Sequence, residues 1–324
     1  VCVGAPTLIL ARKHPLKHIL LALVTLIMLG NICAAMAPNY WVLLLARFIS
    51  GLPHGAYFGV ASIVAEKLAD KGKGSEAVSI MIAGMTIANL FGVPLGTSLS
   101  NAISWRVTFL LVGCWGVIIL YYIWRWVPHV EGLKDTGFKG QFRFLKTPVP
   151  WLILGATALG NGGGFCWYSY INPLLTNVSG FSAESITGLM VLAGFGMVVG
   201  NLVSGRLSDQ YTPGKVGTTV QAMICVVLLL IFFLSPYPWL SALLMCLCTS
   251  SPEQVLIIRV AKGGEMLGAA CVQVAFNLGN AIGAYVGGLA ISGGYRYPAL
   301  AGVPFAMVGF ILFLTFYKKY QAKY

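Results

Sequence analysis

Carboxylates are scarce in this chain. Nine Asp and Glu stand against twenty-one Lys and Arg, and charged residues of both signs make up only 9% of the 324 residues. None of the nine acids falls at the middle of an apolar stretch; Glu253 comes closest, toward one end of its stretch, where it can pair with Arg259 at the lip. No Gly-x-x-x-x-Gly-Lys-Ser/Thr segment occurs, so there is no loop to cradle the phosphates of ATP. The run Asn161-Gly162-Gly163-Gly164 lies inside an apolar stretch and is not such a cradle. No nucleophile, base and acid fall into a catalytic pattern, which argues against an enzyme. The eight cysteines are scattered, and Cys246 and Cys248 have no Cys or His partner at ligand spacing. That leaves no disulfide framework, metal site or bound cofactor to expect. Alternating polar and apolar residues are missing and the apolar runs are too long for a β-barrel. The chain opens at Val1 within an apolar run, without the charged start or cleavage site of a signal peptide. It reads as a protein whose N-terminal part is absent.

What is present is apolar length. Hydrophobic residues are 58% of the chain and the mean hydropathy is +0.83, the composition of a polytopic membrane protein. A helix crossing a bilayer needs about 20 mostly apolar residues. After a stub at 1–11, such stretches run over 19–37, 40–65, 77–100, 106–127, 149–172, 185–206, 216–234, 238–258, 265–291 and 297–317. Eighteen of the twenty-one Lys and Arg fall in alternate gaps, at 12–18, 66–76, 125–147, 206–215, 259–265 and the tail 318–324. Short loops rich in Lys and Arg stay in the cytoplasm, so this alternation sets an orientation with the C-terminus inside. It also explains the formal net charge of +12 without a nucleic acid, because the cations sit beside anionic lipid headgroups.

The polar stretch 128–147 divides the chain into 1–127, with a stub and four spans, and 148–324, with six. The halves are alike. Glu76, Asn89-Leu90, Gly92, Gly96 and Trp105-Arg106 are matched by Glu265, Asn277-Leu278, Gly279, Gly283 and Tyr295-Arg296, at offsets between 187 and 190. A repeat in the same orientation relative to the loops gives two parallel bundles related by an axis along the membrane normal.

Polar residues inside the spans are the candidate site. Arg47 lies about 10 Å along its helix at 1.5 Å per residue, deeper than a loop charge. A charge at that depth faces a cavity or a partner; the alternative is an arginine reaching back to the headgroups. His54 follows seven residues later on the same face, near the midplane. Histidine changes charge near neutral pH and can carry a proton, or it can stay neutral and hydrogen-bond across helices. Asn161, Phe165, Tyr168 and Asn172 recur at helical spacing, as do Gln273, Asn277 and Asn280; Thr86, Asn89 and Thr97 share a face. These stripes line a solute cavity or hold helices together by hydrogen bonds.

Several segments carry a family resemblance. Gly205-Arg206-Leu207-Ser208-Asp209 with Lys215 resembles the cytoplasmic loop signature of the major facilitator superfamily. Arg47-Phe48-Ile49-Ser50-Gly51-Leu52-Pro53-His54-Gly55 resembles the fourth-helix motif of its proton-linked members. Gly92-Val93-Pro94-Leu95-Gly96 is similar to the fifth-helix motif of its antiporters. Together with Gly84-Met85-Thr86-Ile87-Ala88-Asn89 and Lys262-Gly263-Gly264-Glu265, these segments look like the bacterial arabinose-efflux-permease branch, among sugar-efflux and multidrug proton antiporters. The loop matching the signature in the first half, Ala11-Arg12-Lys13-His14, has no Asp.

The resemblance implies an all-α major facilitator fold of two parallel six-helix bundles, with the first helix and part of the second not in this sequence. It implies a monomer in the bacterial inner membrane that exports a small solute, a sugar or a drug-like molecule, by alternating access coupled to proton entry. Arg47 and His54 would serve the proton; the midplane Asn, Gln, Thr and Tyr residues would contact solute; Gly92, Pro94 and Gly96 would let a helix rock. Asp209 with Arg206, beside Gly205, would latch one state, the acid pairing with basic residues across the bundle interface. An uncoupled facilitator of the same fold and a solute-binding membrane sensor are the alternatives.

Overall fold

The computed structural model describes residues 14–132, 140–247 and 253–323. The stub at 1–11, the basic pair Arg12 and Lys13, and Cys248 lie outside the described residues, as do the side chains of Thr86, Asn89, Pro94 and Thr97. Every described element is helical. In chain order the α-helices are α1 (Leu16–Ala35), α2 (Tyr40–Gly51), α3 (Pro53–Leu68), α4 (Gly74–Ile87), α5 (Val93–Ala102), α6 (Trp105–Trp126) and α7 (Pro148–Tyr168). They continue as α8 (Ile171–Asn177), α9 (Ile186–Gln210), α10 (Pro213–Leu234), α11 (Pro238–Cys246), α12 (Glu253–Val260), α13 (Glu265–Ala290) and α14 (Tyr297–Tyr320). Among the described residues, seven helical segments are long and apolar enough to cross a membrane.

Where they are described, the apolar stretches read from the sequence coincide with helices; 238–258 is described as α11 and α12, with 248–252 outside the described residues, and the other differences lie at breaks. The stretch 40–65 is two helices, because Pro53 has no N–H to continue the ladder across Leu52. The stretch 77–100 is interrupted by a π-helical turn, Ala88–Gly92, just ahead of Pro94. The stretch 149–172 ends at Tyr168 and resumes as α8, so Asn172 stands on a separate short helix and the stripe from Asn161 does not run on to it. Conversely α9 extends through Gln210. The segment Gly205 to Asp209 is therefore the last turns of a helix, and the connection to α10 is only Tyr211 and Thr212. Thr212 caps α10 by accepting from the Lys215 N–H at 3.3 Å.

Contacts group the chain into two compact units. The first comprises 1–68, 91–146 and 261–274; the second comprises 69–90, 147–260 and 275–324. In the first, α1 packs against α6, α2 and α3. The closeness of α1 and α6 requires glycine: a Cβ on Gly116 would come within 2.9 Å of the Met28 side chain. One face of α6 presents Trp115 and Trp126, eleven residues apart and both exposed, a surface suited to lipid and not to water.

In the second unit α7 is the hub. Gly163 and Gly160 meet α14 at Gly302 and Gly309, and Gly162 meets α13 at Gly279 and Gly283; a side chain on most of these glycines would strike backbone. With no hydrophobic driving force between helices in lipid, such close backbone approach supplies the dispersion contact that holds them. Tyr170 fixes the end of this packing by donating its hydroxyl to the Ala284 carbonyl at 2.8 Å.

Candidate functional site

Two constellations carry polar chemistry, one in each unit. The first is a cavity of about 630 Å³ in the first unit, lined in part by Asn31, Arg47, Ser50, His54, Thr108 and Phe109. Arg47 and His54 thus reach one cavity although the helix between them is broken. The break matters for their spacing: Arg47 is in the last turns of α2 and His54 in the first turn of α3.

Among the described residues, the contacts of the Arg47 guanidinium are to neutral groups. Its Nη1 donates to Asn31 Oδ1 at 3.4 Å, long for a hydrogen bond, and its Cζ stands 5.1 Å from the centre of the Phe109 ring. Asn31 is buried and is itself held by donating to the Ile27 carbonyl at 2.8 Å. Ser50 donates to the Arg47 carbonyl at 3.1 Å. A side chain on Gly30 would collide with Ser50 at 2.6 Å, so α1 and α2 touch where the arginine emerges. His54 sets its ring edge-on to Phe58 at 5.1 Å. Among the described residues no carboxylate lines this cavity. The arrangement offers a fixed cation, a titratable imidazole and neutral hydrogen-bonding groups within membrane-spanning helices.

Sequence reasoning missed Asn31, Ser50 and Thr108. Asn31 had a signal, a lone amide inside an apolar run, but nothing in the sequence says which helix faces it. Thr108 contacts the predicted hinge: its hydroxyl donates to the Gly96 carbonyl at 3.1 Å, and a Cβ on Gly96 would lie 3.2 Å from its methyl. Gly92, unlike Gly96, makes no close helix contact among the described residues. A Cβ there would meet nothing among the described residues, because Gly92 closes the wide π turn and points into open space.

The second constellation is a clasp between the end of α9 and the start of α4, both in the second unit. Asp209 accepts from the backbone N–H of Ser75 at 3.0 Å and of Glu76 at 2.8 Å, while Arg206 Nε donates to Glu76 Oε1 at 2.6 Å. This corrects the expected pairing of Asp209 with basic residues: its partners are the free amides of a helix N-terminus. The physical reason is local. A carboxylate at the end of its own helix meets the negative end of that dipole, and the positive end of α4 offsets it. Gly205 allows the approach, since a Cβ there would collide with the Ser79 side chain.

The solute stripes are partly assembled. Asn161 and Asn280 flank the Gly162–Gly279 contact of α7 with α13, and Phe165 meets Phe276 at 6.4 Å nearby. Asn280 Oδ1 is buried with no hydrogen-bond partner among the described residues. Tyr168 stacks on Phe165 at 5.5 Å. Asn277 and Asn172 are exposed, and Gln273, half-buried on the same helix as Asn277, groups with the first unit.

Comparison with known proteins bears on what these constellations belong to. The sequence profile of the Major Facilitator Superfamily matches residues 4–252. The chain is 43% identical over 333 aligned residues to AraJ of Escherichia coli (strain K12), an alignment covering 99% of this chain and 84% of AraJ. It is 26% identical over 297 residues to a Helicobacter pylori (strain J99) protein named Probable sugar efflux transporter, covering 88% and 74%. In fold it matches the crystal structure of the Escherichia coli fucose:proton symporter FucP with a TM-score of 0.79, at 15% identity, over 96% of this chain and 86% of that one. The chain belongs to the major facilitator superfamily: it is a multi-pass membrane transporter and not an enzyme.

Proposed function

We propose that this transporter exports a small solute, a sugar or a drug-like molecule, from the bacterial cytoplasm in exchange for protons. The observation that carries the reading is the cavity holding Arg47 and His54 inside membrane-spanning helices. Arginine stays protonated, so it acts as a fixed charge. Histidine is the group in this cavity that can load and release a proton near neutral pH. The name of the Helicobacter pylori relative supports sugar and outward movement.

In this account the two sequence halves, 1–127 and 148–324, belong to two parallel six-helix bundles, the first carrying here the stub of its second helix through its sixth, that rock around the solute and are joined by the cytoplasmic segment 128–147. Asn161, Tyr168, Asn172, Gln273, Asn277 and Asn280, with Thr86 and Asn89, contact solute hydroxyls or amides. The π turn at Ala88–Gly92, with Pro94 and Gly96, gives the flexible point of its helix. The Asp209 clasp holds one of two states, since a two-state transporter needs contacts made in one and released in the other. The protein works as a monomer in the inner membrane with its C-terminus in the cytoplasm, the side to which its Lys and Arg distribution points.

The test is flux. Inside-out vesicles containing the protein are given labelled pentoses, hexoses and amphipathic cations, with and without an acid interior. Uptake of one compound, accelerated by the pH gradient, is the expected result. Uptake indifferent to the gradient reduces the function to facilitation, and binding without uptake makes the protein a sensor.

A further inference from the structure

A second concavity of about 410 Å³ lies in the second unit, between α9 and α10, and none of the Asn stripe residues lines it. Its walls are two ridges at four-residue spacing: Val203 and Leu207 near the end of α9, with Tyr211 just past it, and Lys215, Thr219 and Met223 on α10. Such spacing keeps each set on one face of its helix. Eight residues of helix span about 12 Å, close to the depth of one leaflet of a hydrocarbon core about 30 Å thick. Both helices are long and apolar enough to cross a membrane. Val203, Leu207 and Tyr211 are exposed to the surroundings of the protein, which at this level are acyl chains.

The groove is apolar along its length and cationic at its end. The Lys215 ammonium sits 4.8 Å from the centre of the Tyr211 ring, at the short connection between the two helices. Among the described residues it has no carboxylate within ion-pair distance. An aromatic ring and a lysine stem at this level are the side chains that favour the headgroup layer.

We propose that this groove binds one anionic phospholipid, with an acyl chain between the two ridges and its headgroup phosphate paired with Lys215. Charge complementarity selects the headgroup. A zwitterionic lipid brings its own cation to the same place, whereas an anionic one leaves the lysine paired.

The test uses the full protein in detergent, offered equimolar phosphatidylglycerol and phosphatidylethanolamine with identical chains, and counts retained lipids by native mass spectrometry. The wild type retains phosphatidylglycerol about fivefold in preference, the ratio given by about 1 kcal/mol per surface lysine. Lys215→Gln abolishes the preference and Lys215→Arg restores it. Thr219→Trp, on an exposed wall position, fills the groove and lowers retention of both lipids. Melting curves of all four proteins confirm folding. Preference unchanged in Lys215→Gln overturns the headgroup assignment, and retention unchanged in Thr219→Trp overturns the groove.

Discussion

The cavity around Arg47 and the clasp around Asp209 treat charge in opposite ways. In the clasp, charges at helix ends are met at short range by matched partners: two amides at 3.0 and 2.8 Å for Asp209, and Glu76 at 2.6 Å for Arg206. In the cavity, a guanidinium inside the membrane-spanning part has an amide oxygen at 3.4 Å and an aromatic face at 5.1 Å. Hydrogen bonds to charged groups contribute about 1.5–3 kcal/mol each, while a long contact to a neutral oxygen contributes much less. The clasp is therefore built to hold the structure. The cavity keeps an under-partnered charge in a place where charge is costly. Under the proposed function, the missing partner arrives during transport.

The contrast can be broken by substitution. The largest loss of stability belongs to Asp209→Ala, which strands the first amides of α4 and removes the counter-charge to its dipole. About 2–3 kcal/mol is expected, seen as a lower melting temperature in detergent. Gly205→Val follows, at about 1–3 kcal/mol, because the added side chain pushes α9 off Ser79. Arg206→Ala is smaller, below about 1 kcal/mol, since that side chain is 69% exposed and its ion pair is solvated. Arg47→Ala is smallest of all for stability, within about 0.5 kcal/mol, because its contacts are weak and its removal uncovers no buried charge. If Arg47→Ala melts earlier than Asp209→Ala, the assignment of holding and working charges is reversed.

Much of the fold was legible in the sequence because bilayer thickness fixes the length of each apolar run. Predicted ends such as 106, 185 and 297 fall within a residue of α6, α9 and α14. The breaks were less legible. Pro53 and Pro94 each mark one, but that the second takes the form of a π turn at Ala88–Gly92 is not visible in composition. For the site, Arg47 stood out as the one Lys or Arg that falls in none of the gaps between or at the ends of apolar stretches, and Asp209 as part of a signature. Their partners did not. Asn31 is sixteen residues away on another helix, and the amides of Ser75 and Glu76 are backbone groups that every sequence carries. Glu76 was visible only as one mark of the internal repeat. Periodicity reports which face of a helix is special, and tertiary packing decides what that face meets.

The most direct test of the account is solute-evoked proton movement. Vesicles containing an interior pH dye are loaded with wild-type protein, Arg47→Ala or Asp209→Ala, and the transported solute is added across an imposed pH gradient. The account predicts a dye response in the wild type, none in Arg47→Ala despite normal melting, and a weakened but present response in Asp209→Ala. A response in Arg47→Ala equal to that of the wild type would contradict it, because the charge in the cavity would then have no part in coupling.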